Sequence, residues 1–312
     1  MKKITYIFPI YNEEENIPLL YKTLSKAVSS INEKYLVEII FVNDGSKDRS
    51  LHLLKEIQSV DPRIRIIDFA RNFGHQIAVT AGLDYSTGDA AIIMDSDLQD
   101  PPRVSLELIQ KWEEGYDVVY AQRKSRKDKF LKKLSADLFY RTLQKLAEID
   151  IPRNTGDFRL VDRKVINQLK LFKEHNRFLR GMVSYVGYKQ IAVQFDRDER
   201  HAGVTGYPLK KMIQFAYDGI FSFSSSPLKA ISRLGFGIAL LSILGIIYAL
   251  FVFAFGQSVE GWTFTVISIF FIGGIQLIML GVLGGYIGRI YTEVQDRPLY
   301  GIASIIETKD KK

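Results

Sequence analysis

At 312 residues the chain holds one large domain or two smaller ones, and its net charge of +7 favours anionic partners: a nucleotide, a phospholipid or a nucleic acid. The absence of cysteine excludes disulfides and thiolate metal sites and accords with a reducing compartment for a catalytic part. Met1 to Glu15 has only a short apolar run, too short for a secretory signal, and reads as a first strand.

Strand and helix patterns then alternate to about residue 125. Ile4–Phe8, Val37–Val42, Ile64–Phe69, Ala90–Met94 and Asp117–Ala121 are β-rich, and Glu14–Ser29, Asp48–Ser59, His75–Tyr85 and Arg103–Glu114 carry helical spacing. The alternation predicts an α/β fold, a mainly parallel, Rossmann-like sheet sandwiched by helices through right-handed crossovers. Ligands of such sheets bind beyond the carboxyl ends of the strands. Polar punctuation falls there five times: Pro9-Ile10-Tyr11-Asn12-Glu13, Asn43-Asp44-Gly45-Ser46, Arg71-Asn72-Phe73-Gly74, Asp95-Ser96-Asp97 and Gln122-Arg123. No Gly-x-Gly-x-x-Gly and no Gly-Lys-Ser/Thr loop is present, which disfavours a dinucleotide or ATPase site.

The fourth of these loops carries the most information. Ile92-Ile93-Met94 ends abruptly in Asp95-Ser96-Asp97-Leu98-Gln99-Asp100, and Pro101-Pro102 stops the ladder. Two aspartates one residue apart at a strand end can turn toward one divalent ion, and hard oxygen donors suit Mg2+ or Mn2+ holding a nucleotide diphosphate. An isolated Asp-x-Asp is more often a solvated turn; the four accompanying loops favour the site.

From Lys129 to about Tyr207 the pattern is mixed. Arg123 to Lys133 has seven basic residues against Asp128, a run that reads by default as a solvated face. Thr155–Val161 is strand-like, and a helix starts near Asp162. Tyr207 to Ser226 sets Met212, Ile213, Phe215, Ile220, Phe221 and Phe223 beside Lys210 and Lys211, either an interfacial amphipathic helix or a core helix. Leu234–Val259 and Gly261–Gly288 contain no charge, and each exceeds the roughly 20 residues that cross a hydrocarbon core. Lys229 and Arg233 precede this pair, Arg289, Arg297 and Lys309 to Lys312 follow it, and the loop between has no base, so both termini are expected in the cytoplasm. Trp262, Tyr286 and Tyr291 sit where interfacial aromatics are expected. Gly281/Gly285 and Gly284/Gly288 are small-residue pairs that can serve the hairpin itself or an oligomer.

The strings Pro9 to Glu14, Val42 to Ser46 and Asp95 to Pro102 resemble the family-two glycosyltransferases. Arg71-Asn72-Phe73-Gly74-His75-Gln76, Gly156-Asp157-Phe158-Arg159-Leu160 and the paired C-terminal helices narrow the likeness to polyprenyl-phosphate glycosyltransferases of the bactoprenol glucosyltransferase and dolichol-phosphate mannose synthase type. The Gln-x-x-Arg-Trp of processive synthases is missing: neither Trp112 nor Trp262 follows arginine. The resemblance implies an A-type glycosyltransferase domain over 1–206, an interfacial helix over 207–228, two transmembrane helices over 229–290 and a cytoplasmic tail over 291–312. It implies a bacterial cytoplasmic-membrane enzyme that passes a sugar by inverting displacement from a nucleotide sugar to undecaprenyl phosphate. UDP-glucose is the donor of the nearest-looking members; N-acetylglucosamine, galactose and modified arabinose are alternatives the sequence does not separate, nor does it tell O-antigen from teichoic acid or another wall polymer downstream.

The same resemblance assigns residues. Pro9, Tyr11, Asn12, Glu13 and Asp44 would line the base and ribose pocket, with Arg71, Asn72 and Ser96 on the nucleotide side. Asp44 is equally a turn residue before Gly45, and Asn72 equally a helix cap. Asp95 would face ribose and sugar and, with Asp97 and Gln99, hold Mg2+ or Mn2+; Gln99 is equally a surface residue. Arg123, with Arg126, Lys132 and Lys133, would take the acceptor phosphate, and Arg200 would reach the donor diphosphate. Arg200 to Tyr207 follows the family's Arg-x-x-Gly-x-Ser with Thr205 in place of serine. Asp157 either accepts a proton or fixes the sugar and Arg159, against a purely structural Asp-Arg pair. Expected partners are the nucleotide sugar, the polyprenyl phosphate and the bilayer, with a homo-oligomer, a flippase and a second glycosyltransferase left open. Two readings compete: a non-catalytic membrane scaffold that binds nucleotide sugar, and a nucleic-acid-binding membrane protein. The second ranks last, since no aromatic platform or recognition helix accompanies the basic run.

Overall fold

Strand β1 (Lys2–Ile10) is buried without a break from Ile4 to Ile10, the mark of a strand covered on both faces. It lies inside an eight-stranded sheet ordered β7-β5-β6-β4-β1-β2-β3-β8, where β2 is Tyr35–Asn43, β3 Ile64–Phe69, β4 Ala90–Ile93, β5 Val118–Arg123, β6 Thr155–Asp162, β7 Gln190–Phe195 and β8 Ile302–Ile306. The computed structural model describes residues 1–124, 152, 155–196, 226–254 and 261–308. The helices among them are α1 (Ile17–Ser29), α2 (Ser50–Val60), α3 (His75–Tyr85), α4 (Val104–Glu113), α5 (Arg163–Leu169), α6 (Leu179–Tyr185), α7 (Ser226–Ala254) and α8 (Trp262–Val294).

Helix α1 shows why the sequence pattern works locally. Pro18 fits the first turn, where an N–H has no partner to lose, and Ile17, Leu20, Leu24 and Val28 recur at helical spacing and are all buried. With Leu54 of α2 and Val104, Leu108, Ile109 and Trp112 of α4, they pack on one face of the sheet against Ile4, Tyr6, Phe8, Ile39 and Phe41. The opposite face carries α3, α5 and α6: Val79 and Leu83 join Val165, Ile166, Leu169, Leu179, Met182 and Val183 over Ile7 and Ile93. Each such fully buried side chain contributes about 1.5–3 kcal/mol relative to exposure.

Pairs β1–β2, β1–β4, β2–β3 and β5–β7 are parallel, as the alternation predicts. Three are not. β6 enters antiparallel between β4 and β5, so Thr155-Gly156-Asp157 at its start lies on the same edge as the ends of its neighbours. β8 runs antiparallel to β3. This corrects the reading of 291–312 as a tail: α8 continues to Val294, Asp296 reverses the chain at φ 44°, and Ile302–Ile306 becomes an edge strand. Its short alternating stretch, like that of β7, carries too little pattern to stand out among loops. Pro9 is also corrected from loop to strand. Ile7 O accepts from Met94 N, so the side of β1 that Pro9 shares with Ile7 lies past the last β4 pair, and no ladder bond is lost.

Helices α7 and α8 are long and apolar enough to cross a membrane, over Leu228–Gly245 and Phe271–Val294, and neither stretch is buried in the protein. Phe236, Leu277 and Tyr291 stand open among many other large apolar side chains. In water such a surface would be an association hazard; in lipid it is the expected outer face. Of the expected interfacial helix over 207–228, the part up to residue 225 lies outside the described residues, and 226–228 opens α7.

Candidate active site

The predicted convergence of strand-end loops occurs, and hydrogen bonds fasten the loops to one another. After β1 and β2, Asn12 N donates to Ser46 Oγ at 3.0 Å, Lys47 N to Asn12 Oδ1 at 2.8 Å, Glu13 N to Ser50 Oγ at 2.9 Å and Glu14 N to Asp48 Oδ2 at 3.1 Å. Asn12 sits at φ 54°, a left-handed position that asparagine tolerates. Tyr11 is exposed at the rim, and Pro9 is buried beneath it.

Asp44 joins the second loop to the third. Its Oδ1 accepts from Phe73 N at 2.6 Å and its Oδ2 from Gly74 N at 2.9 Å, while its carbonyl accepts from Asn72 Nδ2 at 3.2 Å. The structure thus gives Asp44 a buttressing job, and Asn72 does not cap α3; Gly74 occupies that cap, without a side-chain bond. Burial pushes the Asp44 carboxyl up despite these donors. Gly45 completes the join. At φ 65° a Cβ there would stand 2.6 Å from Arg71 C and Asn72 N, so only glycine fits. Arg71 itself is exposed, with its guanidinium 4.0 Å over the Phe73 ring.

At the end of β4, Ser96 and Asp97 are buried and Asp95 and Gln99 half-buried. Leu98 at φ 61° folds the turn back, and Asp97 Oδ1 accepts from Gln99 N at 3.1 Å. Burial raises the Asp95 carboxyl, against the pull of His75, whose Nε2 lies 3.7 Å from Asp95 Oδ1. No cluster of three or more His, Asp or Glu side chains able to hold a metal forms among the described residues. The donor set of Asp95 and Asp97 still fits Mg2+ or Mn2+, ions that keep several waters and take one or two carboxylates together with substrate phosphates.

Across the edge, Asp157 is buried and well served. Arg180 donates Nε to Oδ1 at 2.8 Å and Nη2 to Oδ2 at 3.2 Å; Gln76 Nε2 donates to Oδ2 at 3.2 Å, and His75 Nε2 lies 3.2 Å from the same oxygen. Burial alone would raise this carboxyl, but Arg180 and His75 outweigh it and hold it well below the usual range. The same contacts act in reverse on His75, whose side chain is 42% exposed at the rim: partial desolvation would lower the imidazole, while Asp157 and Asp95 push it up to about 9. Arg159, buried and donating Nη2 to Gly156 O at 2.9 Å, is pushed down to about 10 by burial. Arg123 closes the edge from β5: a Cβ on Gly156 would lie 3.4 Å from its Nη2.

Asp95, Asp97, Asp157 and Arg123 are therefore gathered at one rim with Asp44, Asn72 and Ser96, while Arg126, Lys132, Lys133 and Arg200 lie outside the described residues. Sequence reasoning missed Arg180 and gave no role to His75 or Gln76. The latter two had a signal, directly following Gly74 at the start of a helix that faces the strand ends. Arg180, on a seven-residue helix in the mixed region, had none.

A rim of buried and half-buried carboxylates with cations beyond parallel strand ends is the arrangement of an α/β enzyme that handles anionic substrates. The model of glycosyl transferase family 2 matches residues 5–170. An uncharacterized glycosyltransferase, YkcC of Bacillus subtilis, is 50% identical over 98% of this chain and 95% of its own. The bactoprenol glucosyl transferase of Shigella phage SfX is 43% identical over 97% of this chain and 99% of its own, and the prophage bactoprenol glucosyl transferase homolog of Escherichia coli K12 matches with the same identity and coverage. The chain belongs to glycosyl transferase family 2 and is a glycosyltransferase.

Proposed function

We propose that the enzyme transfers glucose from UDP-glucose to a polyprenyl phosphate, undecaprenyl phosphate, at the cytoplasmic face of a bacterial membrane, with Mg2+ or Mn2+ as cofactor and inversion at the anomeric carbon. The observation that carries this reading is the shared rim of Asp95, Asp97, Asp157 and Arg123, and the full-length likeness to bactoprenol glucosyl transferases supports the acceptor. Both helix ends facing the cytoplasm follows from the placement of bases around α7 and α8.

Asp97 and Asp95, with Gln99, would hold the divalent ion. When bound, the ion supplies positive charge where the departing diphosphate gains negative charge. The acceptor phosphate is already an anion at neutral pH, so its oxygen attacks the anomeric carbon without a base, and the bond to the diphosphate oxygen breaks with its electron pair. Two anions at about 4 Å repel by roughly 4 kcal/mol at an effective dielectric near 20. Arg123 answers that repulsion by holding the acceptor phosphate, assisted by Arg126, Lys132 and Lys133, and Arg200 reaches the diphosphate. Asp157 keeps Arg180 and His75 fixed as cations beside the reacting centre rather than taking a proton.

The test is direct. Purified protein in bilayers with metal, undecaprenyl phosphate and a panel of labelled nucleotide sugars should yield a lipid-linked hexose from UDP-glucose, seen by mass spectrometry, and Asp97→Ala should abolish it. Binding of nucleotide sugar without turnover across the whole panel would replace this reading by the scaffold.

A further inference from the structure

The face of the sheet that carries α3, α5 and α6 ends in a surface that sugar transfer leaves unused. Leu171 is 68% exposed and Tyr185 65%, and the Phe172 ring meets the Tyr185 ring edge-on at 5.8 Å. Beside them an open groove of about 440 Å3 is lined by Gln168, Leu171, Phe172, Lys173, Glu174 and, from α8, Glu293. His175 ties the groove to α8 and the turn after it: it donates its backbone N to Glu293 Oε1 at 2.9 Å, sets Nδ1 3.0 Å from Oε2, and sets Nε2 2.6 Å from the Arg297 carbonyl.

That tie fixes the height of the surface relative to a bilayer. α8 carries no charge before Arg289, so the hydrocarbon core ends no further along it than Gly288. Glu293 follows Gly288 by five residues, about 7–8 Å of helical rise. The polar layer of each leaflet is about 5–8 Å thick, so Glu293 and the groove beside it stand within or at the edge of the headgroups. The surface chemistry matches: a leucine and a tyrosine tip, which favour that layer, flanked by Lys173 and by Lys170, whose Nζ also donates to the Asp84 carbonyl at 2.7 Å, with Glu174 and Asp296 as exposed acids.

We propose that Leu171, Phe172 and Tyr185 form a membrane-docking face of the catalytic domain, seated in the phospholipid headgroup layer of the bilayer that α8 crosses. The consequence lies at the other end of α6. Arg180 precedes Tyr185 by five residues, so about 7–8 Å of one helix joins the docking face to the Asp157–Arg180 pair. The inference rests on the membrane placement proposed above.

The cysteine-free chain makes the test clean. Single cysteines at Leu171, Tyr185, Val60 (exposed on α2, across the sheet) and Leu277 (exposed on α8) are labelled with an environment-sensitive fluorophore in the full chain. Each protein is placed in nanodiscs of phosphatidylcholine and phosphatidylglycerol with spin-labelled lipid. Labels at Leu171 and Tyr185 should be quenched about twofold or more by the headgroup spin label relative to Val60, and Leu277 by the mid-chain spin label. Leu171 and Tyr185 behaving like Val60 while Leu277 is quenched would overturn the docking face and leave membrane insertion standing. Leu277 unquenched would remove both. Shielding of Leu171 and Tyr185 from aqueous iodide without lipid quenching would mark a second copy as the occupant and likewise overturn the proposal.

Discussion

Arg180 holds Asp157 with two nitrogens at 2.8 and 3.2 Å across 23 residues of sequence, and the carboxylate it holds is nearly out of reach of water. Removing one partner of a buried pair costs about 3–5 kcal/mol, because the survivor keeps its desolvation penalty. Arg180→Met should lower thermal stability by that order and reduce kcat/KM for sugar transfer by roughly 100-fold or more, 1.4 kcal/mol being tenfold. Arg180→Lys should fall between, since an ammonium supplies charge but not the two-pronged geometry. Wild-type kcat/KM in Arg180→Lys would show that the fork has no bearing on the site.

The same pair sets a pH signature. The folded carboxyl of Asp157 is held well below its unfolded value, so its contribution to stability is fully present above about pH 4 and is lost as pH falls through the folded value. Asp157→Asn should melt well below wild type at pH 7, and the gap should close on acidification below about pH 4. Melting temperature against pH for both proteins checks this. A gap that stays constant down to pH 3 would place the effect of the asparagine in packing rather than charge.

Much of this was legible beforehand, for reasons that differ by element. α3 runs from His75 to Tyr85 as the pattern predicts, because Gly74 at φ 101° marks its start unambiguously. The rim formed because parallel strands must end together, which is a topological necessity once the alternation is read. The partners of Asp157 are not legible: the sequence offers Arg159 as its neighbour, whether in a structural pair or at the reacting centre, yet Arg159 donates to the Gly156 carbonyl and the carboxylate is held by Arg180, Gln76 and His75. Which of two nearby arginines reaches a carboxylate depends on packing of α6 against α3 and β6, and no local pattern encodes it. β8 was hidden likewise, since Tyr300 earns its place by stacking on Phe69 at 5.2 Å and by donating to Asp84 at 2.9 Å, contacts more than 200 residues apart in sequence.

Gly45 offers a stability prediction with a functional readout. Alanine there must adopt φ 65° and places its Cβ 2.6 Å from the backbone of Arg71 and Asn72. Left-handed strain alone costs about 1–2 kcal/mol, and a backbone clash cannot be relieved by a rotamer change. Gly45→Ala should therefore push the Arg71 to Gly74 loop outward, break the Asp44 bonds to Phe73 and Gly74, and raise the KM for the nucleotide sugar more than that for the lipid. Equal changes in the two KM values would argue for a global loss of structure instead.

His175 provides a pH test on the alkaline side. Its imidazole is raised above the ordinary value, first by Glu293 and then by the Arg297 carbonyl. A raised histidine stabilises fully below about pH 6.5, and that contribution is lost as pH rises through the folded value. Hydrogen exchange over residues 172–185 should accordingly speed up on going from pH 6 to pH 9, after correction for the intrinsic rate. His175→Ala should show the faster exchange already at pH 6. Protection that is independent of pH in the wild type would mean that the backbone bond from His175 N, rather than the ring, carries the tie.

Asp97 separates metal binding from folding. Its Oδ1 accepts from Gln99 N at 3.1 Å, and an asparagine oxygen can accept the same bond, so Asp97→Asn should cost no more than about 1 kcal/mol, the size of an average substitution. The substitution removes one of the two charges at the strand end, and a hard divalent ion depends on those charges. The concentration of Mg2+ or Mn2+ needed for half-maximal transfer should rise by about tenfold or more, which corresponds to losing one charged ligand worth about 1.4 kcal/mol. Chelation of wild-type protein should abolish transfer with little change in melting temperature, because the turn is closed by Leu98 at φ 61° and by the bond from Gln99 N to the Asp97 carboxylate, and either ion should restore activity on addition. Undiminished transfer in the presence of chelator would leave Asp95 and Asp97 as sugar-facing carboxylates, and Arg180, His75 and Arg123 would then have to neutralise the departing diphosphate without help.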